Sequence, residues 1–326
     1  MIAPASVHAN GTGESNGYLR LDAHDRLPVT SLDTSVLVCG NASDALELLP
    51  DRCIRTVVTS PPYWSLRDYE IDRQIGRDDI LADYVESIVQ TFDKVRRVLA
   101  DDGTVWLNVG DAYTSGNRRY RAPDRKNRAR AMDVRPVTPE GLKPKDLIGV
   151  PWRLAFALQD AGWWLRSEVI WHKPNAHPES VRDRPTKAHE TVFLLSKSQD
   201  YHYDIDAVRG PKERRLRTVW DIPTEPQKRN GAMDDHPAMM PMKLARRCVA
   251  ITSRPGDVVL DPYAGSGTTL IAAQDLGRKW VGVELNPAYV DLVERRIGAG
   301  TPGMFAAAER TALAACTVHA EWDLAK

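Results

Sequence analysis

Short apolar runs alternate with segments of helical periodicity along most of this chain. Apolar residues recur three or four positions apart over residues 78–99, which predicts an amphipathic helix with Asp78 or Asp79 as its N-cap. Further helices are predicted over residues 151–162, 241–253 and 287–297, the last capped by Asn286. Seven buried strands are predicted from apolar runs at residues 36–41, 56–60, 103–110, 167–171, 191–195, 258–260 and 280–285.

Strands that alternate with helices predict an α/β fold, in which a mostly parallel sheet carries helices on both faces. Such sheets bind ligands at the carboxyl ends of their strands. Asn41, Ser60 and Glu284 each stand at a predicted strand end, so we expect them to line one crevice. The periodic segments lie within residues 35–298, which we interpret as one domain between flexible tails at residues 1–34 and 299–326.

The composition says more about the cellular compartment of the protein than about its function. Lysine and arginine total 44, as do aspartate and glutamate, so any affinity for nucleic acid must be local. The four cysteines show no metal-type spacing, and we expect no bound metal. Neither a membrane span nor a secretory segment is recognisable. We therefore expect a cytoplasmic protein that does not associate with membranes.

A glycine-rich turn follows the strand predicted at residues 258–260. Its sequence over residues 261–269 is Asp-Pro-Tyr-Ala-Gly-Ser-Gly-Thr-Thr. No lysine follows the second glycine, which excludes a phosphate-binding P-loop, and Leu270 replaces the third glycine of the dinucleotide fingerprint. By itself the turn is equally typical of an ordinary strand-to-helix connection. Glu284 ends the next strand about 20 residues later, where α/β folds place a carboxylate for ribose hydroxyls.

A second unusual segment, Ser60-Pro61-Pro62-Tyr63, follows the strand at residues 56–60 and leads into Trp64. Two prolines fix two φ angles and donate no N–H groups, so they predict a rigid turn with an aromatic tip. An ordinary strand-end turn is the alternative interpretation. Together with the glycine turn, the segment favours a functional site.

These motifs resemble those of the amino-group DNA methyltransferases that use S-adenosylmethionine, in their permuted (β-type) order. The resemblance covers residues 36–297 and also includes Trp171-His172-Lys173-Pro174-Asn175 and His189-Glu190. It implies a Rossmann-like methyltransferase fold with a seven-stranded sheet and a permuted motif order. It assigns catalysis to Ser60, Pro61, Pro62 and Tyr63. It assigns S-adenosylmethionine binding, without a metal, to Asn41, Asp261, Tyr263, Ala264, Gly265, Ser266, Gly267, Thr268, Thr269 and Glu284.

Four residues depart from the family pattern. Tyr263 replaces the commoner phenylalanine, Asn41 replaces an aspartate near the adenine amino group, and Met239-Met240 replace a more polar pair. The amide oxygen of Asn41 could still accept the same hydrogen bond.

The resemblance implies site-specific methylation of an exocyclic base amine in double-stranded DNA. Ser60 Oγ and the Pro61 carbonyl would accept hydrogen bonds from the amine, and Tyr63, with Trp64, would stack on a flipped base. Serine at the first motif position favours cytosine-N4 as the target. Adenine-N6 methylation and a non-catalytic DNA-binding protein with a vestigial cofactor pocket are the alternatives. Cytosine-C5 chemistry is excluded, because it needs a Pro-Cys nucleophile and no cysteine here follows a proline.

Two basic stretches interrupt the α/β pattern, and we interpret residues 111–147 and 199–235 as insertions that recognise the DNA target. A basic loop alone is more often a solvated surface, but two beside one crevice favour phosphate contacts. The expected DNA-binding residues are Arg118, Arg119, Arg121, Arg125, Lys126, Arg128, Arg214, Arg215 and Arg217, with Trp220 among the interleaved aromatic residues. A restriction-modification role would add a cognate endonuclease that acts separately, with the methyltransferase a monomer or a homodimer.

Overall fold

The computed structural model describes residues 18–22, 32–64, 75–76, 80–114, 137–209, 214–225 and 239–298. Over these ranges, nine strands form one sheet: β1 (Tyr18–Asp22), β2 (Ser35–Cys39), β3 (Ile54–Thr59), β4 (Leu99–Val109), β5 (Trp164–His172), β6 (His189–Ser196), β7 (Val219–Asp221), β8 (Val258–Asp261) and β9 (Lys279–Glu284). The described helices are α1 (Ala42–Glu47), α2 (Leu81–Val98), α3 (Val150–Asp160), α4 (Met242–Thr252), α5 (Thr268–Asp275) and α6 (Pro287–Gly298).

The strand order across the sheet is β1-β2-β9-β8-β3-β4-β6-β5-β7. All neighbouring strands are parallel except β6, which runs antiparallel to both β4 and β5. The late strands β8 and β9 lie between the early strands β2 and β3. This arrangement brings the glycine turn after β8 beside the Ser-Pro-Pro-Tyr turn after β3, although about 200 residues separate them.

Two hydrophobic cores cover the two faces of the sheet. Because side chains alternate along a strand, Val36 and Val38 of β2 pack into the first core and Leu37 packs into the second. The first core is closed by apolar residues of α1, α2 and α3, and the second by those of α4, α5 and α6. Helices on both faces confirm the predicted α/β architecture.

The seven predicted strands correspond to β2, β3, β4, β5, β6, β8 and β9, and β1 and β7 extend the sheet by one strand at each edge. Two expectations were therefore wrong in part. Residues 18–22, placed in a flexible tail, form β1, which pairs in register with β2. Residues 219–221, placed in an insertion, form β7, which pairs with the end of β5.

Helix boundaries agree with the sequence to within a few residues, but one predicted cap is wrong. α2 begins after Ile80, which makes no side-chain capping bond, so neither Asp78 nor Asp79 occupies the N-cap position. The predicted cap of α6 is present, since Asn286 Oδ1 accepts a hydrogen bond from the Ala288 N–H at 2.9 Å. Within the described ranges, no helix is long and apolar enough to cross a membrane.

Candidate active site

A pocket opens at the carboxyl ends of β2, β3, β8 and β9 and contains about 1030 Å³ of space, its open mouth included. The predicted residues in its wall are Asn41, Ser60, Pro61, Pro62, Tyr63, Asp261, Tyr263, Ala264, Gly265, Ser266, Thr268, Thr269 and Glu284. The structure thus brings together sites at four strand ends that the sequence singled out separately.

Gly267 is the one predicted cofactor residue that does not line the pocket. It caps the N-terminus of α5 in the left-handed conformation, with φ 75°. A Cβ there would lie 3.0 Å from both Cγ atoms of Val293. Arg296 of α6 donates a hydrogen bond to the carbonyl of Ser266, so α6 fixes the turn from behind. Gly267 therefore shapes the turn.

Two carboxyl groups, a buried one and a half-buried one, hold the turn from the pocket side. Glu284 accepts hydrogen bonds from the Gly265 and Asn286 N–H groups, each at 2.8 Å, and burial raises its pKa to about 7. Asp261 Oδ1 accepts from Thr59 Oγ1 at 2.7 Å and from the Tyr263 N–H at 3.1 Å. Burial raises the pKa of Asp261 to about 6. Asp261 thus connects the end of β3 to the glycine turn.

Asn41 lines the pocket, as predicted, but its side chain also has a local structural task. Its Oδ1 accepts a hydrogen bond from the Ser43 N–H at 2.8 Å and so caps α1. Because an amide oxygen has two lone pairs, the cap leaves capacity for one further donor from the pocket.

The Ser-Pro-Pro-Tyr turn is held from two sides. Tyr84, fully buried on α2, donates a hydrogen bond to the Pro62 carbonyl at 2.9 Å. Tyr63 is only 8% exposed, and its hydroxyl donates to Glu190 Oε2 at 2.7 Å. Trp64 is 3% exposed and packs in the first core, so the expectation that it stacks on a base was wrong.

Sequence reasoning gave no role to the polar cluster behind this turn. Asn108, 2% exposed near the end of β4, donates from Nδ2 to Tyr63 Oη and to Glu190 Oε2, both at 2.9 Å. Lys173 forms an ion pair with Glu190, and its ammonium lies 4.4 Å from the centre of the Trp171 ring. Burial opposes ionisation of Glu190, but the charge of Lys173 and three hydrogen bonds lower its pKa below the usual value. The only sequence signal was the family pattern that contains Lys173 and Glu190.

Those expected DNA-binding residues that the structure describes do not line the pocket. Arg214, Arg215 and Arg217 are exposed on the surface. Arg118, Arg119, Arg121, Arg125, Lys126 and Arg128 lie outside the described residues. Trp220, the aromatic residue of the second basic stretch, is buried in the second core, with its ring 5.7 Å from that of Trp106. Within the ranges that the structure describes, no group of three His, Cys, Asp or Glu side chains could hold a metal ion.

The sequence model of the N6/N4 DNA methylase family matches residues 54–295. The chain belongs to this family. It is an amino-group DNA methyltransferase dependent on S-adenosylmethionine, so the motif resemblance is confirmed. The pocket fits that cofactor, because it offers the Glu284 carboxylate for a ribose and apolar walls from Ala264, Val283 and Leu285 for a base.

Among curated relatives, the methyltransferase is 52% identical to the Type II methyltransferase M.Cfr9I of Citrobacter freundii, over 87% of this chain and 94% of the relative. It is 50% identical to the Type II methyltransferase M.SmaI of Serratia marcescens, over 87% of this chain and 97% of the relative.

Solved structures show the same fold. The PvuII DNA methyltransferase (cytosine-N4-specific) superposes with a TM-score of 0.61 at 23% identity, over 80% of this chain and 85% of that one. The putative DNA modification methylase TTHA0409 of Thermus thermophilus, solved with S-adenosyl-L-methionine, superposes with a TM-score of 0.58 at 27% identity, over 82% of this chain and 95% of that one.

Proposed function

We propose that this methyltransferase transfers the methyl group of S-adenosylmethionine to the exocyclic N4 amine of a flipped cytosine in double-stranded DNA. The observation that carries the proposal is the position of Ser60. Serine occupies the first place of the catalytic motif, and it lines the same pocket as the glycine turn and Glu284. Serine at this place resembles the cytosine-N4 branch of the family.

Ser60 and Pro61 would orient the target amine. The Ser60 hydroxyl lies 3.2 Å from the carbonyl of Asn108 and 3.1 Å from Tyr63 Oη, both on the protein side. Its lone pairs can therefore accept a hydrogen bond from the amine, as can the Pro61 carbonyl. Both bonds turn the nitrogen lone pair, which is otherwise delocalised into the base, toward the methyl donor.

Glu284 would accept the ribose hydroxyls of S-adenosylmethionine, and the glycine turn at residues 261–269 would let the cofactor approach the backbone. When bound, the cofactor supplies an electrophilic methyl group. Tyr63 would form one wall of the base site. Arg214, Arg215 and Arg217, together with the basic residues at positions 118–128, would contact the DNA phosphates.

Two relatives that are 52% and 50% identical to this chain over the aligned residues are Type II methyltransferases, which supports a role in restriction-modification. In that role the enzyme protects a short site from a separate endonuclease. A plasmid that this enzyme has methylated, and that then resists cleavage by a Type II endonuclease of the same recognition site, would support the role.

The direct test is to incubate the protein with S-adenosylmethionine and unmethylated DNA, digest to nucleosides and identify the product by mass. N4-methylcytosine supports the proposal, and N6-methyladenine would move the target to the other amine of the family. Ser60→Ala serves as the matched variant, with a rate reduced about 100-fold because one preorganised hydrogen-bonding group is lost. Cofactor binding without any methylated nucleoside would favour a DNA-binding protein with a vestigial pocket.

A further inference from the structure

A chain of hydrogen bonds runs from the pocket into the protein interior. It begins at Ser60, continues through the hydroxyl of Tyr63 at 3.1 Å and ends at Glu190, 2.7 Å from that hydroxyl. Asn108 donates to both Tyr63 and Glu190, and Lys173 pairs with the other oxygen of Glu190. A buried polar network is costly where a member lacks a partner. Every side chain of this network has one, although Asn108 Oδ1 accepts no hydrogen bond within the described residues.

The ionised carboxylate fixes the direction of every bond in this chain. A carboxylate can only accept, so the hydroxyl proton of Tyr63 must point to Glu190. The oxygen of Tyr63 is then left to accept protons, from Asn108 and from Ser60. The Ser60 proton therefore points into the protein, to Tyr63 or to the Asn108 carbonyl. Asn108 Nδ2 makes a long hydrogen bond of 3.4 Å to Ser60 Oγ, which leaves one lone pair of that oxygen available to the pocket.

We propose that Glu190 is a positioning residue for methyl transfer, which sets the hydrogen-bond direction through Tyr63 so that Ser60 acts as an acceptor for the target amine. The inference rests on the proposed function, but it holds for either amine, because cytosine N4 and adenine N6 both present N–H groups. Lys173 keeps Glu190 ionised and is itself fixed over the Trp171 ring.

Replacement of Glu190 by glutamine tests the proposed direction of the hydrogen bonds from Ser60 through Tyr63. Glutamine has one acceptor oxygen, and the Lys173 ammonium, a pure donor, would take it. The glutamine NH₂ would then face Tyr63, whose proton would turn to Ser60 Oγ and occupy a lone pair. We expect the single-turnover rate to fall about 10- to 100-fold, by analogy with the loss of the outer hydrogen-bond partners that orient metal ligands. The dissociation constants for S-adenosylmethionine and DNA should stay within about twofold of wild type.

Two further variants separate this role from a merely structural one. In Lys173→Met/Glu190→Gln, no ammonium competes for the amide oxygen, so it can again face Tyr63, and part of the rate should return. Asp275→Asn is the matched control, since Asp275 forms a similarly buried ion pair with Arg246 at the far end of α5. It should leave the rate unchanged.

Tyr63→Phe removes the middle link while it keeps the ring. We expect a loss similar to that of Glu190→Gln, and little further loss in the double variant, because both changes interrupt one chain. In the same assay, N4-methylcytosine made by the wild type supports the proposed function, and N6-methyladenine would overturn only its target base. A rate within about twofold of wild type in Glu190→Gln, or in Tyr63→Phe, would then overturn only the role of Glu190. Additive losses in the double variant would overturn it as well.

Discussion

Gly110→Ala should strongly reduce the rate of methyl transfer, because the added methyl group would displace the ring of Tyr63. A Cβ at Gly110 would lie 2.6 Å from Cε2 of Tyr63 and 2.9 Å from its Cδ2, whereas ordinary contacts begin near 3.4 Å. The ring must retreat by about 1 Å, but its hydroxyl is held by Glu190 and Asn108. A displacement of this size at a reacting centre costs about 100-fold in rate. Overpacking should also lower the free energy of unfolding by about 1–3 kcal/mol.

The assay is single-turnover transfer of labelled methyl to DNA, with S-adenosylmethionine affinity measured by calorimetry. Affinity should stay near wild type, because Gly110 is not part of the pocket wall. Tyr63→Ala is the matched control background, because removal of the ring makes room for the new methyl group. In that background, Gly110→Ala should leave the free energy of unfolding almost unchanged. An unchanged rate in Gly110→Ala, or an equal loss of stability in both backgrounds, would refute the reasoning.

Three other predictions concern the cofactor and DNA. Because burial raises the pKa of Glu284 to about 7, its carboxyl is protonated below that pH and accepts ribose hydroxyls less well. Calorimetry should therefore show S-adenosylmethionine affinity that rises from pH 6 to 8 in the wild type, and weaker, pH-independent binding in Glu284→Gln. Gly267→Ala should lower the free energy of unfolding by about 1–2 kcal/mol, because alanine disfavours the left-handed backbone at this position. The melting temperature should fall, and S-adenosylmethionine should raise it by less than in the wild type. Joint replacement of Arg214, Arg215 and Arg217 by alanine should reduce the slope of log K against log salt by about 2.7, if each contacts one phosphate; an unchanged slope would exclude them from the interface.

The central sheet could be read from the sequence because its strands are buried on both faces. Such strands appear as nearly continuous apolar runs, and each of the seven predicted runs became a strand. The edge strands gave no such signal. Only Leu21 is buried in β1, and only Trp220 in β7, so these segments do not differ locally from loops. Their pairing with the sheet is decided by tertiary contacts.

The pocket was also predictable, since parallel strands place their carboxyl ends at one edge. That rule, with the glycine turn and the Ser-Pro-Pro-Tyr turn, located every predicted catalytic residue and all the predicted cofactor residues except Gly267 in one wall. Trp64 was misjudged because an aromatic residue after a turn can point either way, and here the first core takes it.

The sequence alone therefore determined the fold class, the family and the residues that face the pocket, because each depends on local patterns. The hydrogen-bond partners of those residues were decided by the tertiary structure, through the direction of a single strand. β6 runs antiparallel to β4, with Thr191 opposite Val109, so the beginning of β6 lies at the carboxyl edge of the sheet. Only this reversal brings Glu190 to Tyr63, 127 positions away in the chain. Strand direction is set by which edges pair in the folded sheet, and the local sequence does not encode it.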